Sequence, residues 1–60
     1  MFETKIEVFE GSTVSKVTRE ANEYRKNHNA EIISADLEYV PGGAVAPSIV
    51  FLTVVFREKR

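Results

Sequence analysis

Ile49-Val50-Phe51-Leu52-Thr53-Val54-Val55-Phe56 is apolar on both of the faces that an extended strand presents in alternation. A strand with one wet face alternates apolar and polar residues, whereas near-continuous apolar runs belong to strands covered on both sides. Elsewhere the chain alternates more cleanly. From Lys5 to Glu10, Ile6 and Val8 share one side, extended backwards by Phe2 and Thr4, and Lys5, Glu7 and Phe9 share the other, which predicts a first strand. Glu10-Gly11-Ser12-Thr13 is a turn whose hydroxyls suit a helix N-cap. Val14, Val17, Ala21 and Tyr24 then recur at spacings of three, four and three, and Thr18 joins their stripe, so a surface helix is predicted from Thr13 to about His28. Arg25, Lys26 and His28 fall at its negative end, and Asn29 suits a left-handed terminator. Glu31 to Val40 predicts a second strand, with Ile33, Ala35, Leu37 and Tyr39 on one side and Ser34, Asp36 and Glu38 on the other. Ile32 and Val40 stand at its ends. Pro41-Gly42-Gly43 closes that strand, and Ala44-Val45-Ala46-Pro47 continues as a hairpin loop.

The order is β-α-β-β, an α+β domain over residues 1–60: a three-stranded antiparallel sheet with one helix on one face. The third strand, the most continuously apolar, takes the centre, and Val50, Leu52, Val54 and Phe56 form its core face. The edge strands are expected to turn Lys5, Glu7, Asp36 and Glu38 outward, away from the helix. They would flank an apolar stripe of Ile49, Phe51 and Val55 on the uncovered face, with Phe9 on that face as well. Phe9, Ile32, Ile49, Phe51 and Val55 are therefore the expected interface residues. Arg57-Glu58-Lys59-Arg60 reads as a solvated tail that discourages edge pairing.

Length gives this pattern its weight. A 60-residue chain buries only about 60% of the surface its unfolded form exposes. Chains of this size usually rely on disulfides, a metal or oligomerisation. With no cysteine and one histidine, oligomerisation is the supplement left open. The expectation is a homo-oligomer, in its simplest form a dimer, whose second copy covers the apolar face. A net charge of −1 supplies no long-range field for nucleic acid or anionic lipid. Lys16, Arg19, Arg25 and Lys26 are interleaved with Glu20 and Glu23 at pairing distances along a helix, so they read as a solvated mixed face. Neither a basic leader followed by an apolar core nor an apolar run long enough to span a bilayer is seen, and a cytoplasmic setting is expected without nucleic-acid or membrane partners.

Candidate chemistry is sparse. His28, between Asn27 and Asn29, reads as a surface histidine at a helix end. Asp36 and Glu38 alone do not make a carboxylate cation site. Ser12, Thr13, Ser15 and Ser34 suit capping or exposure and lack a positioned base. Gly11 precedes a helix that could receive an anion, whereas Pro41-Gly42-Gly43 lies between two strands and is no phosphate loop. No enzyme and no cofactor are expected.

The chain resembles a family of short Bacillus sporulation-associated proteins. The resemblance rests on Ile6-Glu7-Val8-Phe9-Glu10, Glu20-Ala21-Asn22-Glu23-Tyr24 and Val54-Val55-Phe56-Arg57. That family carries no established activity, and related small proteins also suit phages of the same hosts. It is also similar to dodecins in its β-α-β-β order and in Gly11-Ser12-Thr13 before the helix. Dodecins form shells that hold flavin or other small ligands, with a tryptophan of the second strand stacking on the flavin. This chain has no tryptophan, so the similarity implies oligomeric architecture rather than flavin binding. The expected function is that of a small interaction protein that binds a protein partner, as a host-regulatory or phage-encoded inhibitor. The competing expectation is a dodecin-like oligomer holding a small molecule against Phe9, Phe51 or Tyr39.

Overall fold

In a computed structural model that describes residues 1–59, the chain runs through β1 (Phe2–Gly11), α1 (Val14–Asn27), β2 (Ala30–Val40) and β3 (Ile49–Lys59). β3 lies between β1 and β2 and is antiparallel to both, as its apolar pattern predicts for an α+β sheet. Thr13 caps α1 from an extended backbone, its Oγ1 accepting from the Lys16 amide at 3.1 Å. Such a cap contributes about 1 kcal/mol. At the other end the His28 amide donates to the Tyr24 carbonyl at 3.0 Å, and Asn29 turns the chain at φ 50, the left-handed exit expected of it.

Among the described residues, seven form the buried core: Val17 and Ala21 from α1, Ala30 from β2, and Val50, Leu52, Val54 and Phe56 from β3. Phe9 and Tyr24 pack against them. Phe9, Tyr24 and Phe56 meet as an aromatic cluster, with the Tyr24 and Phe56 ring centres 4.6 Å apart and Phe9 edge-on to both. Val14, the first residue of the predicted stripe, stays half exposed.

The face assignment of β1 corrects the sequence reading. Phe9 is opposite Leu52, Glu7 opposite Val54 and Lys5 opposite Phe56, so Phe9, Glu7 and Lys5 lie on the helix side and not on the open face. Gly11 shares that side, and a Cβ there would approach Val17 Cγ1 to 3.1 Å and Lys16 Cδ to 3.2 Å. The first turn of α1 thus passes close over Gly11, and a side chain there would have to move Val17 or Lys16 by a few tenths of an ångström. Because strand parity is strict, a helix side made of Lys5, Glu7, Phe9 and Gly11 leaves Phe2, Thr4, Ile6, Val8 and Glu10 on the open face.

A β-bulge in β2 corrects a second placement. Ile32 is opposite Phe56 but Ser34 is opposite Val55, which leaves Ile33 as the extra residue. One extra residue reverses the parity beyond it. Ile32 therefore falls on the helix side, along with Ala35, Leu37 and Tyr39, while Ser34, Asp36, Glu38 and Val40 face away from the helix as expected. Arg57, Glu58 and Lys59 also continue β3, paired with both neighbours or with β1, instead of forming a solvated tail. Arg60 lies outside the described residues.

Candidate functional site

The open face of the sheet is the feature that the fold leaves unfinished. Across it, Ile6, Val55 and Ser34 form one row; Val8, Thr53 and Asp36 the next; and Glu10, Phe51 and Glu38 the third. Val40 lies beside Ile49 beyond them, while Thr4, Arg57 and Glu31 lie on the other side, and Phe2 beside Lys59 ends the sheet. Phe2, Ile6 and Val8 are 60–65% exposed. Phe51, Val55 and Ile49 are half-buried between their neighbours, so the predicted stripe on β3 is widened by three apolar side chains of β1. These side chains form a contiguous apolar patch on the sheet face opposite α1.

Charge on this face is graded from end to end. Glu10, Glu38 and Asp36 gather around Phe51 and Thr53, and none of them has an ion-pair partner among the described residues. Arg57 and Lys59 occupy the opposite end. The Arg57 guanidinium lies 4.9 Å from the centre of the Phe2 ring and pairs with Glu31, so two contacts hold it across the face.

Of the five expected interface residues, Ile49, Phe51 and Val55 lie together here, while Phe9 and Ile32 are on the helix side. Phe2, Ile6 and Val8 were missed because their alternation reads equally well in either orientation of β1. Gly11 was the available signal: a residue without a side chain at a strand end, just before a helix, marks the side on which the helix passes.

On the helix side, Glu58 joins β3 to α1 and β1. Its carboxylate lies 3.4 Å from Lys5 Nζ and 3.5 Å from His28 Nδ1, with its side chain only 14% exposed. The His28 ring stacks on Tyr24 at 4.1 Å between centres. Glu58 raises the Lys5 pKa, first as a hydrogen-bond acceptor and then by its charge. Burial raises the Tyr24 pKa, and the charges of Glu58 and Glu7 add to the rise. Both shifts keep the groups protonated, opposite to what a general base or activated nucleophile needs. The cluster fastens the end of α1 to the sheet. Among the described residues no group of three histidine or carboxylate side chains is placed to hold a metal ion, and no helix is long and apolar enough to cross a membrane.

The shallow depression lined by Ser15, Thr18, Arg19, Asn22, Glu23, Arg25 and Lys26 is the outer side of α1 alone. With no second element to form a wall, it is a solvated helix surface. The hairpin loop is tied by Ser48, whose Oγ accepts from the Gly42 amide at 3.2 Å and hydrogen-bonds the Tyr39 hydroxyl at 3.0 Å. Tyr39 is thereby committed to the loop. Comparison with protein-family models, curated proteins and solved structures gives no match to this chain.

Proposed function

We propose that this is a small non-enzymatic interaction protein that works as a homo-oligomer, in its simplest form a dimer, joined through the open face of its sheet, and that the assembled form binds a protein partner. One observation carries the reading: Phe2, Ile6, Val8, Phe51 and Val55 share a single face that nothing among the described residues covers. Three strands spaced ~4.8 Å apart, and about 11 residues long at ~3.3 Å per residue, make a face of roughly 500 Å². Two such faces together reach about 1,000 Å², the lower bound for a specific interface. A second copy matches the face in length and width, which favours it over a smaller ligand.

Native mass spectrometry of the untagged protein over a dilution series tests this. Multiples of the chain mass that dissociate on dilution are expected. Val55→Asp, which places a charge on the middle strand beside the midpoint of the face, should leave a folded monomer. A folded Val55→Asp variant with unchanged mass distribution would show that the copies meet elsewhere. A reproducible extra mass per subunit, lost in that variant, would replace the second copy with a small ligand.

A further inference from the structure

Resting on the reading of the open face as a self-association surface, we infer that the two copies meet with their β3 strands antiparallel, so that Arg57 of each lies over Phe51 of the other, between Glu10 and Glu38. Two face-to-face arrangements preserve two-fold symmetry and full overlap of the strands. An axis along the strands sets β1 of one copy on β2 of the other at the same level; an axis across them sets β1 on β1 and reverses the ends.

The two arrangements differ in what meets. With the axis along the strands, Glu10 faces Glu38, Arg57 faces Arg57, Lys59 faces Lys59, and the apolar Ile6 and Val8 face Ser34 and Asp36, as the sheet register dictates. With the axis across them, overlap of the 11-residue β3 (Ile49–Lys59) centres on Val54. Val55 then meets Thr53, Arg57 meets Phe51, Lys59 meets Ile49, and on β1 Ile6 meets Val8. Ile6 and Val8 meet each other, and Arg57 comes between Glu10 and Glu38, two carboxylates without an ion-pair partner among the described residues. The one like-charge row, Glu31 across from Glu38, has Arg57 alongside, already paired with Glu31. Aligned sheet packing, in which strand directions stay within about 30°, preserves these meetings near the centre of the face. Apolar burial provides the affinity and the charges choose the orientation, because like-charge juxtaposition is strongly disfavoured in a closing interface.

A charge series read as dimer dissociation constants tests the orientation. E10K places a lysine beside the partner's arginine, and R57E places a carboxylate between two others. Each should weaken the dimer roughly tenfold or more, and E10K with R57E in one chain should return it to within about threefold of the parent. The arrangement with like ends together predicts instead that E10K, set against Glu38, tightens the dimer, while R57E only exchanges one like-charged pair for another. If Val55→Asp abolishes the dimer while E10K and R57E dissociate as the parent does, or E10K tightens it, the orientation is overturned and the interface stands. If a folded Val55→Asp protein still dimerises, or the parent is monomeric at high concentration, the interface itself fails. Ile6→Asp replaces Val55→Asp should the latter unfold, and circular dichroism establishes folding for each variant.

Discussion

Phe56 is the residue on which most of the fold converges. It is fully buried, stacks near Tyr24, takes the edge of Phe9 and occupies the central strand. Truncating such a phenylalanine to alanine costs about 3–5 kcal/mol. A chain of this length has roughly 3–9 kcal/mol in total. Phe56→Ala should therefore abolish a cooperative thermal transition in far-ultraviolet circular dichroism, and a sharp transition near the parent temperature would show that the cluster is dispensable. Lys5 and Tyr24 make a pH prediction. Their ordinary pKa values are 10.5 and 10.0, and both are raised in the folded chain, through Glu58 for Lys5 and through burial for Tyr24. The folded state thus holds these protons more tightly than the unfolded state does. Their contribution is fully present below the unfolded values and is lost as pH rises through the folded ones. The urea midpoint should fall as pH rises past about 10, and the fall should be smaller in a Lys5→Met, Tyr24→Phe variant.

Among the elements, the hairpin loop between β2 and β3 is the most sharply constrained. A Cβ on Gly42 would lie 2.3 Å from the Ala46 carbonyl oxygen and 2.7 Å from the Ser48 amide nitrogen, which only a shift of backbone relieves. Gly42→Ala should cost about 1–3 kcal/mol, the usual range for overpacking. Gly43→Ala meets nothing within 4 Å and has no positive φ to strain, so its urea midpoint should stay at or slightly above the parent's. Equal effects at the two positions would count against this account of the loop. The helix and its two ends were legible in the sequence because capping by Thr13 and the exit at Asn29 are local events that depend on a few consecutive residues. The central place of β3 was legible too, since a strand apolar on both faces has few other positions to occupy. The facing of β1 and the end of β2 was not. Alternation alone leaves Ile6 with Val8 and Phe9 with Gly11 as equal inward sets, which only the bare Gly11 before the helix separates, and nothing in Ile32-Ile33-Ser34 signals which residue is extra. The candidate site inherited both errors, losing Phe2, Ile6 and Val8 and wrongly including Phe9 and Ile32 on the open face.

As a whole molecule the chain is slender, with extents of 49 × 15 × 12 Å. A helix of 14 residues spans about 21 Å and a strand of 11 about 36 Å, so α1 is too short to shelter the full length of the sheet. Leu37 and Tyr39, on the helix side of β2, remain 48% and 61% exposed for that reason. Pairing two open faces would convert two-layered chains into a four-layered α-β-β-α sandwich, in which β3 gains cover on both sides. The place of β3 also governs the order of events during synthesis. β1 and β2 pair with β3 and not with each other. A nascent chain that has released only β1, α1 and β2 therefore holds two strands with no mutual hydrogen-bonding partner and a helix with no floor to rest on. The ribosome delivers the keystone strand after the pieces it joins, so stable structure must appear late and all at once, with the apolar residues of β1 exposed to the cell until then.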